Sequence, residues 1–169
     1  MGPPEQPTAT SAVRRQTRTP SLYSDRVKLT VLAVGKLREA WVAEGCEEYA
    51  KRMRGKLPLE IVEVRDTAEL EKRLAKSTRA QVWALDERGK QLSSDELAQA
   101  LKKAMDHGEA GLTFLIGGAD GLPPELVKRA NFHWSLGRLT LPHRLARLVL
   151  IEQLYRALSI VRGEPYHRA

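Results

Sequence analysis

The stretch FLIGGADGLPP, residues 114–124, joins an apolar run to a glycine pair, then to a third glycine and two prolines. Such an apolar run is typical of a buried strand, and proline is favoured at the first positions of a helix. A strand, a glycine turn and a helix in this order predict one unit of an α/β domain. The glycine turn then lies at the carboxyl end of a strand, where such domains bind ligands.

The rest of the chain repeats this alternation of strand-like and helix-like blocks. Strands are predicted over residues 27–35, 59–64, 80–86 and 111–118, with helical patterns over 39–53, 67–77, 93–108 and 123–130. ERGKQLSS, residues 87–94, is predicted to be a turn, and FHWSLGRLTLPH, residues 132–143, to hold one or two short strands. The fold class predicted is therefore α/β, with a mostly parallel sheet flanked by helices.

The last long helical segment, HRLARLVLIEQLYRALSIVRG at residues 143–163, carries apolar residues on nearly every side. A helix of this kind must be buried on more than one face. Two solutions remain open: burial inside one small domain, or the seam of a homodimer. If the seam is correct, Leu154→Arg is expected to separate the subunits and abolish activity.

Length and composition predict one domain, residues 27–169, preceded by a disordered extension, residues 1–26, that is rich in Pro, Ser and Thr. The extension is poor in acids, as transit peptides are, but it has no apolar core for secretion. The longest apolar runs are far below the roughly 20 residues of a transmembrane helix. The single cysteine, Cys46, excludes an internal disulfide and is flanked by acids that disfavour the thiolate. A metal-free protein in the cytoplasm is expected.

Positive charge is concentrated at the C-terminal end of the chain. The formal net charge is +7, and six arginines follow residue 137 against only Glu152 and Glu164. Clustered cations of this kind favour a polyanionic partner, although a solvated helix face would show the same composition.

Three predicted strand ends carry candidate binding loops. Gly117 and Gly118 follow one strand, Leu85 and Asp86 another, and LGRLTLPHR, residues 136–144, a third. The glycine spacing lacks the GxGxxG order and no Gly-Lys-Ser/Thr follows, so a phosphate-binding loop is disfavoured. Each feature alone also fits a tight turn or a core position. Together they predict a pocket if the three strands are neighbours.

Histidine and tyrosine supply the remaining candidates. His143 follows Pro142 and suits either a base or a simple helix start. The tail GEPYHRA, residues 163–169, combines Tyr166, His167 and Arg168, which suit stacking on a base and binding phosphate, although a frayed terminus is the alternative.

Five segments in one order give the chain a family resemblance. They are VLAVGKL (31–37), LDERGKQLSSDELA (85–98), FLIGGADGL (114–122), LTLPH (139–143) and VLIEQLYRALSIVRGEPYHR (149–168). Across residues 27–168 the chain resembles the ribosomal RNA large subunit methyltransferase H family of small SPOUT methyltransferases. The resemblance implies a C-terminal deep trefoil knot, a homodimer, and S-adenosylmethionine-dependent methylation of N3 of a pseudouridine in helix 69 of 23S rRNA.

The resemblance also assigns residues to roles. It implies cofactor contacts at Leu85, Gly117, Leu136, Gly137, Arg138, Leu139, Thr140 and Leu141. The imide nitrogen must lose its proton before it attacks, so a base or a polarising cation is required. The candidates are His143, Tyr166, His167 and Arg168, with Arg144 and Arg168 binding RNA phosphate.

Some alternatives to this assignment stay open. They are a SPOUT enzyme acting on another RNA such as tRNA, and a non-catalytic RNA-binding factor in ribosome assembly. The basic tail of one subunit is expected to complete the site of the other. Two segments depart from the family pattern: the extension 1–26, which has no counterpart, and residues 65–79, which form a shorter connection than usual.

Overall fold

A computed structural model describes residues 27–76, 80–106 and 111–168, without the side chains of residues 167 and 168. The strands are β1 (Lys28–Val34), β2 (Leu59–Val64), β3 (Gln81–Gln91), β4 (Gly111–Ile116) and β5 (Phe132–Ser135). The helices are α1 (Ala40–Met53), α2 (Thr67–Ala75), α3 (Ser94–Asp106), α4 (Pro124–Arg129) and α5 (His143–Val161), followed by a 3₁₀ turn, Pro165–Arg168. The extension predicted over residues 1–26 lies outside the described residues.

The five strands form one sheet in the order β2-β1-β4-β3-β5, and every neighbouring pair is parallel. The predicted α/β class with a mostly parallel sheet is therefore confirmed. The central strand β4 is buried at all six positions, as expected for a strand covered on both faces.

Successive residues of β4 point into two different cores. Phe114 packs in a core with α1, α3 and α5, whereas Leu115 packs in a core with Leu70 of α2 and Leu126 of α4. This alternation follows from the two-residue period of a strand. It places helices on both faces of the sheet, so that the strand ends stay free for loops.

β3 is longer than the predicted strand, which ended at residue 86 and continued into a turn. Leu85 and Lys90 both lie opposite Trp134 of β5, so residues 86–89 form a bulge and the strand resumes pairing through Gln91. A Cβ atom on Gly89 would lie 2.6 Å from the backbone carbon of His133. The turn-forming residues were correctly identified, but they interrupt the strand rather than end it.

α5 is buried by its own chain, between α1 and α3. Leu154 is 0% exposed and belongs to the main core, so Leu154→Arg would place a charge in that core instead of separating two subunits. The expectation that this substitution tests dimerisation was wrong. The segment at residues 132–143 contains one strand, β5, and then a loop that leads into α5.

Among the described residues, no helix is long and apolar enough to cross a membrane. The same residues contain no group of three His, Cys, Asp or Glu side chains placed to hold a metal ion.

Candidate functional site

The three candidate loops meet at one edge of the sheet. Two of them directly follow β4 and β5, and the third lies at the bulge within β3. Because these three strands are adjacent and parallel, the loops lie side by side at about 4.8 Å spacing. Gly117 directly follows β4 and Leu136 directly follows β5, while Leu85 precedes the bulge in β3. The neighbouring strands required for a pocket are therefore present.

The loop after β4 is closed on its own backbone. The Gly121 amide donates to the Gly118 carbonyl at 3.1 Å, and Gly121 has φ of +76°. A Cβ on Gly117 would lie 2.1 Å from the carbonyl carbon of Gly121, so any side chain there would displace the turn. Gly118 is different, because its Cβ would meet only the Val34 side chain, at 3.3 Å. Of this pair, Gly117 is the position that sterically requires glycine.

The loop after β5 is fixed at its start by Ser135. The Ser135 hydroxyl donates to the Gly137 carbonyl at 2.8 Å and accepts from the Gly137 amide at 3.4 Å. Ser135 is buried, Leu136 and Leu141 are half-buried, and Arg138 and Thr140 are exposed. Leu139 is 81% exposed, which is unusual for a leucine side chain. The loop thus has a rigid base and a solvent-facing tip.

The residues at this edge fit a ligand with an apolar ring and a polar remainder. Leu85 and Leu136 are half-buried and pack against the main core. Gly137 brings the backbone to the surface beside them without a side chain, whereas Gly117 is buried against the backbone of its own turn. Apolar side chains combined with a few backbone polar groups are the usual lining of a cofactor site.

Tyr166 is docked on α1 and α5 of its own chain. Its hydroxyl lies 3.1 Å from the Tyr49 hydroxyl and donates to Oε1 of Glu152 at 3.2 Å. Its ring lies 4.7 Å from the Tyr155 ring, and the Arg156 guanidinium lies 5.0 Å from its centroid. Burial, the hydrogen bond to Tyr49 and the Glu152 carboxylate together raise the pKa of Tyr166 well above its ordinary value. The docked phenol is therefore protonated at neutral pH.

The candidate catalytic residues do not all come together within one chain. His143 begins α5, whereas Tyr166 contacts Glu152, nine residues further along the same helix. Nine helical residues span about 14 Å. The side chains of His167 and Arg168 lie outside the described residues, although their backbone belongs to the same 3₁₀ turn as Tyr166.

Two arginines near the start of α5 make ion pairs across the fold. Arg144 pairs with Glu39, the residue before α1, and remains about half exposed. Arg147 is 0% exposed; it donates to Oε1 of Glu63 at 2.6 Å and to the Gly35 carbonyl at 2.9 Å. These contacts fix α5 to the carboxyl ends of β1 and β2.

Cys46 lies in a small core cluster with Val42 and Ile151. Burial raises the pKa of its thiol to about 11, an effect that the nearby Arg147 charge only partly opposes. Since a raised pKa keeps the thiol protonated below that pH, Cys46 is not a nucleophile in the folded protein. Iodoacetamide at pH 8 is expected to label Cys46 only after unfolding in urea, as measured by intact mass. Equally rapid labelling of the native protein would contradict this burial.

Sequence reasoning missed three residues that shape the site: Gly89, Ser135 and Arg147. Gly89 and Ser135 fix the paths of the two loops, and Arg147 fixes α5. A serine directly after the apolar run FHW, and a lone arginine among the leucines of LARLVL, were the available signals. Ser135 bonds to Gly137, only two residues later, whereas the arginine does not reveal its partner Glu63, which lies 84 residues earlier.

The chain matches a known protein family over most of its length. The family described as "Predicted SPOUT methyltransferase" matches residues 27–167. A protein named "Ribosomal RNA large subunit methyltransferase H" from Carboxydothermus hydrogenoformans is 44% identical over 159 residues, covering 84% of this chain and 100% of that protein. Its namesake from Anaeromyxobacter sp. (strain K) is 45% identical over 154 residues, with the same coverage of both chains.

Solved structures share the fold at low sequence identity. A protein described as a "probable methylase family protein" from Haemophilus influenzae Rd KW20 has a TM-score of 0.54 at 12% identity, covering 86% of this chain and 71% of that chain. A "Probable Methyltransferase" from Bordetella pertussis Tohama I has a TM-score of 0.52 at 18% identity, with coverages of 80% and 95%. At these identities the likeness concerns the fold alone.

Proposed function

Because the chain belongs to the SPOUT methyltransferase family, whose cofactor is S-adenosylmethionine, we propose that it methylates N3 of a pseudouridine in helix 69 of 23S rRNA. Relatives that are 40–45% identical carry the name of a methyltransferase of the large ribosomal subunit RNA. The observation that carries the proposal is the meeting of the three candidate loops at one sheet edge. An rRNA substrate implies a protein that works in the cytoplasm.

The proposed cofactor contacts are Leu85, Gly117 and residues 136–141. When bound, S-adenosylmethionine supplies an electrophilic methyl group carried on a sulfonium. Leu85, Leu136 and Leu141 provide half-buried apolar surface for its adenine, and Gly117 allows the turn after β4 to close on its own backbone beside them. The Ser135 hydroxyl holds the start of the loop after β5 in place through its hydrogen bond to the Gly137 carbonyl.

The chain's own residues must bind the RNA and manage the imide proton. N3 attacks the methyl carbon only as its proton leaves, so the side chains near N3 need a base or a cation that stabilises the anion. Tyr166 is unsuited to act as the base where it is docked, since its raised pKa keeps it a hydrogen-bond donor. The proposed roles are therefore His167 as the general base and Arg168 and Arg144 as phosphate ligands. His143 lies where the cofactor loop joins α5.

The proposed active form is a homodimer with shared sites. Tyr166 docks beside Glu152, about 14 Å along α5 from His143, so within one chain this tyrosine lies apart from His143 and the cofactor loop that precedes it. A second subunit whose tail lies over these loops would bring the two groups together. Each of the two equivalent sites then combines the cofactor loops of one subunit with the tail of the other.

Trp41 is the better residue for testing this dimer. It is 59% exposed near the start of α1, and Leu139 is also exposed. If Trp41 lies in the seam, Trp41→Glu should halve the mass measured by sedimentation and lower methyl transfer at least about tenfold, with little loss of stability, because an exposed side chain contributes little to the core. Lys51→Glu, also exposed on α1, is the control and should leave both unchanged. A fully active Trp41→Glu monomer would contradict the shared site.

Labelled S-adenosylmethionine incubated with ribosomes that lack the modification tests the proposed activity. Label in 23S rRNA at the helix 69 pseudouridine supports the proposal. Label in tRNA alone would favour the other SPOUT enzyme, and tight RNA binding without transfer would favour an assembly factor. A His167→Ala/Arg168→Ala variant that retains full transfer would overturn the roles given to the tail.

A further inference from the structure

A charged groove lies on α2 and includes no residue of the three cofactor loops. It has a volume of about 410 Å³ and is lined by Ala68 and six charged residues. The charged residues are Arg65, Asp66, Glu69, Lys72, Arg73 and Lys76. They recur at the three- and four-residue spacing that places side chains on one face of a helix. The opposite face of α2 buries Leu70 and Leu74.

Both carboxylates in the groove already have partners within it. Asp66 accepts from the Glu69 amide at 2.8 Å and thereby caps α2. Glu69 accepts from the backbone amide of Arg65 at 3.0 Å and pairs with the Arg65 and Arg73 guanidinium groups at 3.3 and 3.9 Å. The groove therefore contains four cationic side chains against two carboxylates, and the carboxylates are occupied.

Lys72 and Lys76 are exposed and lie one helical turn apart, with no ion pair to any residue in the described part of the chain. A turn of α-helix rises about 5.4 Å. The two ammonium groups thus form a short track of unpaired positive charge that continues from the Arg65 and Arg73 pair.

The groove reaches the same sheet edge as the cofactor loops. α2 follows β2, so its first residues lie at the carboxyl end of that strand, and β2 is two positions from β4 in the sheet. Two strand spacings amount to about 10 Å. α2 also shares its core with α4, which follows the Gly117 turn. A polymer bound at the cofactor edge can therefore extend onto α2.

We propose that the α2 groove binds the phosphodiester backbone of the RNA substrate, next to the nucleotide that is modified. This inference rests on the proposed RNA methylation and extends the contact surface beyond the loops and the tail. Phosphate is recognised by clustered Lys and Arg without sequence readout, and the groove carries no exposed aromatic ring for base stacking. It therefore supplies affinity and register, whereas target choice belongs to the loops and the tail.

Salt-dependent RNA binding by Lys72→Gln/Lys76→Gln tests the groove. Fluorescence anisotropy would use two labelled RNA hairpins of equal length, one with the helix 69 sequence and one unrelated. For both hairpins the dissociation constant should rise about tenfold or more near 0.1 M salt, because two phosphate contacts are lost. The magnitude of the slope of log affinity against log salt concentration should decrease by about 2. The KM for RNA should rise while kcat and S-adenosylmethionine affinity stay unchanged.

Two comparison variants sharpen the result. Lys102→Gln/Arg129→Gln removes the same charge from exposed positions in the later turns of α3 and α4 and should leave the slope unchanged. Glu69→Gln removes the carboxylate that neutralises Arg65 and Arg73 and should strengthen binding. Circular dichroism melting checks that each variant is folded.

The outcomes separate the groove from the proposed function. Equal losses of RNA affinity in the groove and control variants would contradict RNA binding by the groove. A wild-type salt slope in Lys72→Gln/Lys76→Gln would contradict it as well. So would tripolyphosphate binding that is lost in this variant while RNA binding is kept, since that marks a site for a small anion. If the wild-type protein methylates no RNA, the proposed function fails, and the salt slopes still report on the groove.

Discussion

Glu63→Ala is expected to lower the free energy of unfolding by about 3 kcal/mol, because it leaves Arg147 buried without a counter-charge. Arg147 is 0% exposed, and Glu63 is the only carboxylate within ion-pair distance of it among the described residues. The Gly35 carbonyl would still accept one hydrogen bond, and Glu63 is 32% exposed, so the loss should fall at the lower end for a broken buried pair. Urea unfolding followed by circular dichroism gives the value.

Two further variants isolate the charge. Glu60→Ala removes an exposed carboxylate from the same strand, paired with the exposed Lys28, and should cost less than about 1 kcal/mol. Adding Arg147→Met to Glu63→Ala removes the orphaned charge and should recover part of the lost stability. If the double variant is no more stable than Glu63→Ala, the buried charge is not what destabilises Glu63→Ala.

The same ion pair connects stability to the site. Arg147 joins the second turn of α5 to the ends of β1 and β2, and Glu63 also accepts from the Leu37 amide at 2.9 Å. The loop before α5 holds the proposed cofactor contacts at residues 136–141. Glu63→Ala is therefore expected to weaken cofactor binding as well, through a loosened start of α5.

Patterns of local sequence predicted most of the architecture. The apolar run of β4 and the glycine-to-proline turn after it indicated one strand–helix unit, and the repeated alternation of such blocks predicted the parallel α/β sheet. Each depends on residues close in sequence, whose side chains fix strand burial and helix start directly. The bulge in β3 could not be predicted, since only pairing with Trp134 decides whether residues 86–89 end the strand or interrupt it.

The features of the site that the sequence did not predict depend on contacts between residues far apart in the chain. The position of Tyr166 is set by Tyr49, 117 residues earlier in the chain, and by the charge of Glu152. Arg147 finds Glu63 84 residues away. No local pattern encodes such pairs, and they decide that Tyr166 stays protonated and that Tyr166 lies apart from His143.

Gly117→Ala is expected to reduce S-adenosylmethionine affinity about ten- to a hundredfold while the protein stays folded. The new Cβ would lie 2.1 Å from the Gly121 carbonyl carbon and 2.5 Å from the Leu122 amide nitrogen, and both are backbone atoms that cannot rotate away. The turn must therefore move, at a cost of about 1–3 kcal/mol for overpacking. Because this turn lies beside the other two loops, its displacement changes the surface that the cofactor would contact.

The neighbouring glycine provides the matched control for this prediction. Gly118→Ala adds the same methyl group one residue later, where its Cβ meets only the flexible Val34 side chain at 3.3 Å. Isothermal titration with S-adenosylmethionine should therefore give Gly118→Ala an affinity close to that of the wild type and Gly117→Ala a much weaker one. Thermal melting establishes that both variants are folded. If the two variants bind equally well, the turn after β4 is a structural turn, and the cofactor contacts must be sought at Leu85 and at residues 136–141 alone.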